Sequence, residues 1–155
     1  MRKVSAAAAL CAAAIAAVGA ATGAAAQGPI KAHGKVAVFA APVNTVDSKG
    51  KTKTTSVTVT GKVKSRSECL SGRRIVFTEV TPSGSRTQSV TARSNRKGAF
   101  TATLPFDSTG LNSKANGTAV TLSATATQVA RRDKDSGAKV RCLEASGIND
   151  FTAAV

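Results

Sequence analysis

The feature that most constrains the fold is a two-residue alternation of apolar and polar side chains over residues 55–65. One parity is apolar and the other is polar or basic. The apolar parity holds Val57, Val59 and Val63, with Gly61 among them, and the polar parity holds Thr58, Thr60, Lys62 and Lys64. Such a period is typical of a β-strand with one face in a core and one in water.

The same pattern recurs along the chain, separated by turn-forming residues. The other predicted strands cover residues 36–43, 73–81, 87–94, 99–106 and 118–129, with one or two more after residue 139. Pro-Ser-Gly-Ser at residues 82–85 and Asn-Arg-Lys-Gly at residues 95–98 supply tight turns. No segment after residue 27 has a helical period. The sequence therefore predicts an all-β fold: a single antiparallel β-sandwich of about seven strands, Ig-like or transthyretin-like.

The N-terminal 26 residues have the pattern of a cleavable signal peptide. Arg2 and Lys3 precede an uncharged, Ala-rich stretch, and Ala24 to Ala26 form a small-x-small site before Gln27. We expect a secreted product with no membrane span after cleavage. It would comprise a flexible N-terminal segment at residues 27–34 and the β-sandwich domain at residues 35–155. A retained anchor and lipidation at Cys11 are the alternatives; Leu10 before Cys11 argues against the second.

Two cysteines, Cys69 and Cys142, remain after the predicted cleavage. In an oxidising compartment, an even pair with no other thiol predicts one intramolecular disulfide. It would close a loop of about 74 residues, worth up to roughly 4 kcal/mol on the chain-entropy model. Together with the single histidine, His33, these cysteines are too few for a structural zinc site, which takes four ligands. We expect no metal and no cofactor.

The chain is strongly basic, with a formal net charge of +14. Such a charge favours anionic partners, of which acidic cell-envelope polymers suit an exported protein. The candidate contacts are bases on predicted solvent faces and loops: Lys62, Lys64, Arg66, Arg96, Lys97, Arg131 and Arg132. The alternatives are that the charge only keeps the protein soluble, or that the partner is an extracellular protein.

The absence of Trp and Tyr weighs against two classes of ligand. Proteins that bind single-stranded nucleic acid stack the bases on aromatic side chains, and sugar-binding modules commonly stack rings on Trp or Tyr. We therefore expect no specific nucleic-acid partner.

Four segments carry a resemblance to a known family. They are Val-Thr-Gly-Lys-Val at residues 59–63, Cys-Leu-Ser-Gly-Arg at residues 69–73, the Gly-Ala-Phe hairpin within residues 93–100, and Gly-Thr-Ala-Val-Thr-Leu at residues 117–122. The stretch resembles the carboxypeptidase regulatory-like, or transthyretin-like, β-sandwich domains of exported bacterial proteins. The hairpin departs from the family pattern, in which an Asp often precedes the glycine. The resemblance implies a structural or interaction module without an active site.

Residue chemistry gives the same expectation of a non-enzymatic protein. A Ser-His-Asp triad needs a rigidly held histidine, whereas His33 precedes the first predicted strand. The few acidic residues fall mostly in predicted loops, so nothing pairs two carboxylates. We expect a secreted, non-enzymatic module with a structural or interaction role at the cell exterior that binds anionic envelope polymers. The alternative is an exported small hydrolase, or an enzyme accessory domain, with an unrecognised site.

Overall fold

The computed structural model describes residues 28–108, 111 and 117–155. The predicted signal peptide lies outside the described residues, as does most of the loop expected between residues 107 and 117. Within the described part, the chain forms ten strands and the short 3-10 turn Ser67–Cys69. No helix in this part is long and apolar enough to cross a membrane.

The ten strands form three sheets. The strands are β1 (Ile30–Ala32), β2 (Lys35–Val46), β3 (Thr52–Lys64), β4 (Arg74–Thr81), β5 (Gly84–Arg93), β6 (Ala99–Pro105), β7 (Thr118–Ala126), β8 (Val129–Arg132), β9 (Lys139–Cys142) and β10 (Ala145–Ala153). The sheets have the strand orders β10-β7-β4-β5, β2-β3-β6 and β1-β9-β8.

The four-stranded and the β2-β3-β6 sheets enclose the main core, and every pairing within them is antiparallel. Between them they hold seven strands. The edge strand β10 also contacts the β2-β3-β6 sheet. The backbone N–H of Ala40 in β2 donates to Oδ1 of Asn149 in β10 at 3.0 Å, and that of Thr54 in β3 donates to the carbonyl of Ala154, just after β10, at 2.8 Å. The predicted all-β sandwich is confirmed.

The alternation in β3 places its side chains as the sequence predicts. Val57, Val59 and Val63 are fully buried, and Lys62 and Lys64 are exposed. The buried valines pack in one cluster with apolar side chains from both sheets of the sandwich. Fully burying such a side chain stabilises a fold by about 1.5–3 kcal/mol, so the three valines together contribute several kcal/mol to the core.

The β1-β9-β8 sheet, hereafter the third sheet, departs from the sequence expectation. Residues 27–34 are expected to be flexible, yet Ile30–Ala32 forms β1 and pairs in parallel with β9. The physical reason is a second small core: Ala32, 2% exposed, packs with the buried Val140 and the two cysteines. The predicted strand over residues 118–129 likewise divides, since β7 ends at Ala126 and β8 belongs to the third sheet.

Gly61 provides a test of the core. It pairs with Phe100 across the β3–β6 ladder, and a Cβ at this position would collide with the Phe100 ring and the Ala37 carbonyl. We expect Gly61→Ala to lower the free energy of unfolding by about 1–3 kcal/mol, measured by urea denaturation. Gly28→Ala is the control, because a Cβ there meets nothing within 4 Å. Equal denaturation midpoints for the two variants would contradict this packing.

Candidate polyanion-binding surfaces

The outward side of the β2-β3-β6 sheet carries lysines at one end. Lys35 in β2 pairs directly with Lys64 in β3. Lys62 lies two residues before Lys64 in the same strand, so its side chain is on the same side of the sheet. All three are exposed, and we call them the lysine face. Directly paired residues have Cβ atoms about 4.5–5.5 Å apart, and like charges in that position repel. No Asp or Glu lies in β2, β3 or β6, so the strands provide no neutralising partner.

The turn at residues 95–98 brings two more predicted contacts to the same end of this sheet. Oδ1 of Asn95 accepts hydrogen bonds from the backbone N–H groups of Lys97 at 2.9 Å and Ala99 at 3.0 Å. The carbonyl of Gly98 then accepts from the N–H of Val63 at 2.9 Å, which joins the turn to β3. Gly98 has a φ of +80°, a conformation that glycine adopts without steric cost. Arg96 and Lys97 are exposed beside the lysine face.

Arg66 and Arg131, also predicted contacts, are engaged in bonds within the protein. Nη2 of Arg66 lies 3.0 Å from Oδ2 of Asp133, and its Nε lies 3.5 Å from Glu68. Nη2 of Arg131 donates to the carbonyl of Ser71 at 3.0 Å. These contacts join the hairpin β8–β9 to the segment around the 3-10 turn. The two arginines therefore help to hold the third sheet in place. Of the remaining predicted bases, Arg132 is exposed and its Nη1 donates to the carbonyl of Gly137 at 3.4 Å.

Asp133 is the acidic residue that organises this hairpin. The backbone N–H and the side chain of Ser136, together with the N–H of Asp135, hold the pKa of the Asp133 carboxyl below its usual range, and Arg66 adds to the effect. Its Oδ1 accepts from Ser136 at 2.9 Å and from Asp135 at 3.0 Å. Among the described residues, no group of three His, Cys, Asp or Glu side chains is placed to hold a metal ion.

The outward side of the third sheet forms a second basic surface. Arg132 in β8 pairs with Lys139 in β9, and Arg141 in β9 pairs with Lys31 in β1. All four are exposed, and we call them the third-sheet face. Only Arg132 was among the sequence candidates. The others were missed because strands of three or four residues show no period, and because the pairing of β1 with β9 joins distant segments.

An open groove of about 610 Å³ runs along this surface. It is bordered by three cations of the third-sheet face. The full lining is Pro29, Gln128, Ala130, Arg131, Arg132, Lys139, Val140 and Arg141. In the amide orientation that satisfies both side chains, the oxygen of Gln128 accepts from Nε of Arg141 at 2.9 Å and from Nη2 at 3.0 Å, which holds the guanidinium beside the groove. The arrangement combines positive charge with small apolar side chains.

A smaller pocket of about 240 Å³ lies at the end of β4 and is lined by Glu79, Arg86 and Asp107, among others. Glu79 is only 4% exposed, and burial raises the pKa of its carboxyl. Arg86 and Asp107 form an ion pair at 3.4 Å at the pocket mouth. His33 is not among the residues that line this pocket. It is exposed between β1 and β2, where its backbone carbonyl accepts a hydrogen bond from Oγ of Ser65. The pocket therefore has carboxylates but, among the described residues, neither a histidine nor a cysteine.

Comparisons with known proteins give no relative. No family model, no curated protein and no solved structure matches the chain. The resemblance to carboxypeptidase regulatory-like domains therefore stays a prediction. The cysteine expectation does have structural support, because Cys69 and Cys142 are placed as a disulfide pair, with Cα atoms 5.5 Å apart.

Glu79 gives a pH-dependent prediction. Its folded-state pKa lies above the unfolded value, so its contribution to stability is fully present below the unfolded pKa and is lost as pH rises through the folded pKa. Glu79→Gln should match the native chain in acid and become more stable than it near neutral pH, measured by urea denaturation across pH.

Asp133→Asn is the control, because its effect on stability should depend on pH in the opposite direction. The folded-state pKa of Asp133 is lowered, so its contribution is present above the unfolded pKa and disappears as pH falls through the folded pKa. This variant should be less stable than the native chain at neutral pH and converge with it in acid. Parallel pH profiles for the native chain and the Glu79 variant would contradict the assignment.

Proposed function

We propose that the protein is a secreted, non-enzymatic β-sandwich module that binds anionic polymers of the cell envelope. The observation that carries the proposal is the lysine face, in which Lys35 and Lys64 are direct neighbours on a sheet whose strands contain no acid. Like charges directly opposite each other in a ladder are destabilising. A polyanion lying across this end of the sheet would neutralise them and convert that repulsion into binding energy.

The distribution of ion pairs supports a surface reserved for an external partner. Between described residues, the ion pairs join Arg66 to Glu68 and Asp133, and Arg86 to Asp107. None of these pairs includes a residue of the lysine face. A charged surface without internal counter-charges attracts anions from solution and raises their local concentration. A charge needed only for solubility would not have to be segregated in this way.

The aromatic side chains favour a polymer bound by charge over one bound by stacking. The chain contains five Phe and no Trp or Tyr. Phe77, Phe100, Phe106 and Phe151 are buried in the core, which leaves Phe39, 62% exposed, as the aromatic side chain at the surface. One ring cannot form the series of platforms that nucleic-acid strands require. Acidic envelope polymers suit the surface better.

The export and non-enzymatic parts of the proposal rest on separate observations. The N-terminal signal pattern and the Cys69–Cys142 pair both fit an oxidising, extracellular compartment. The resemblance to carboxypeptidase regulatory-like domains supports an interaction role. The pocket at Glu79 is the feature that favours the hydrolase alternative, but its Asp107 is already paired with Arg86.

A pair of matched variants tests the lysine face. We expect Lys62→Gln with Lys64→Gln to weaken binding to isolated cell envelopes about tenfold, and to reduce the salt dependence of that binding, because two neutralising contacts are lost. The control is Lys49→Gln with Lys51→Gln, which removes the same charge from the exposed β2–β3 loop. Equal losses in the two variants would mean that net charge alone is responsible, and unchanged binding would refute the assignment.

A further inference from the structure

We propose that the third-sheet face and its groove form a second, more selective binding site, for a linear phosphodiester polymer with short aliphatic units between its phosphates. The inference rests on the proposed function, since it names the chemistry of the polymer, but it concerns different residues. It requires only the third sheet, and it can fail or hold independently of the lysine face.

The arrangement of charge on the third-sheet face matches a polymer better than a single anion. Both strand pairings place cations side by side: Arg132 with Lys139, and Arg141 with Lys31. Alternate residues of a strand are about 6.7 Å apart, and neighbouring strands about 4.8 Å apart. Positive charge therefore recurs in both directions of the face. A chain with regularly repeating oxyanion groups can contact several of these cations at once.

This charge arrangement persists because the sheet is fastened from beneath. The inward side chains Ala32, Val140 and Cys142 are buried with Cys69 in the second core, and Cys142 is at bonding distance from Cys69. The salt bridge between Arg66 and Asp133 adds a further attachment. The strands that carry these cations are thus fixed relative to one another before any ligand arrives, which lowers the ordering cost of binding.

The groove determines which polymer fits between the cations. Pro29 and Ala130 contribute small apolar surface, and its charged border includes Arg132, Lys139 and Arg141. No aromatic side chain lines the groove, so neither a sugar ring nor a nucleobase would find a stacking partner there. A thin aliphatic unit between two phosphates matches the alternation of apolar and cationic surface.

The two arginines favour phosphate as the anionic group. A guanidinium presents a planar set of donors that binds phosphate oxygens in pairs, whereas a lysine ammonium acts as a point charge. Gln128 already holds the Arg141 guanidinium through hydrogen bonds. We therefore expect Arg132 and Arg141 to set the preference for phosphate, and Lys31 and Lys139 to contribute charge.

The test measures binding of the folded protein to a synthetic poly(glycerol phosphate) by calorimetry at two salt concentrations. Arg132→Gln with Lys139→Gln should bind this probe about tenfold more weakly, with a salt slope smaller by up to about 2. The same variant should unfold at an equal or higher temperature than the native chain, because a pair of like charges has been removed. Lys49→Gln with Lys51→Gln again serves as the charge-matched control.

Each outcome bears on the site. If the Arg132/Lys139 variant loses no more affinity for poly(glycerol phosphate) than the control does, the inference is overturned. If the Lys62/Lys64 variant nevertheless shows the expected loss of envelope binding, the proposed function stands without this second site. If the Arg132/Lys139 variant loses affinity for poly(glycerol phosphate) while the Lys62/Lys64 variant binds envelopes as tightly as the native chain, the result supports this site and refutes the lysine face. Equal affinity for polygalacturonate, a carboxylate polymer, or for duplex DNA would overturn the preference for a phosphodiester chain with aliphatic units.

Discussion

The buried guanidinium of Arg73 is the interaction on which the arrangement of the whole molecule depends. Arg73 is 1% exposed, and it donates to the carbonyls of Ala126 at 2.9 Å, Thr127 at 2.7 Å and Leu143 at 2.7 Å. Burial lowers its pKa. These carbonyls belong to the segments that leave β7 and β9, so one side chain fixes where the sandwich ends and the third sheet begins. Leaving buried hydrogen-bonding groups such as these without a partner typically costs about 1–3 kcal/mol each, and more where a charge is involved.

Two separate hydrophobic cores lie on either side of this junction, and each stabilises a different part of the fold. The large core fills the sandwich, whereas the small one, around the paired cysteines, secures the third sheet. Because apolar and small residues occupy the inward positions of β3 and β9, the lysines and arginines of those strands can only face outward. The basic surfaces are therefore a direct product of strand alternation combined with a sequence in which bases greatly outnumber acids.

The long, regular strands could be predicted from the sequence, because their alternation reflects burial on one side. The pairing of Cys69 with Cys142 could be predicted because no other thiol remains after the predicted cleavage. The third sheet could not, since β1, β8 and β9 are too short to show a period and come from opposite ends of the chain. The salt bridge between Arg66 and Asp133 could not be predicted either, because the two residues are 67 positions apart in the sequence.

Binding to the cell envelope through charge can be measured by fractionating the tagged, full-length protein, produced in its native cells, between culture medium, envelope and a high-salt wash of that envelope. Exposed ionic contacts are screened over about 8 Å at physiological salt and over shorter distances at high salt. We expect the protein to be exported, to stay with the envelope and to be released by the wash. Recovery in the medium irrespective of salt, or retention inside the cell, would contradict it.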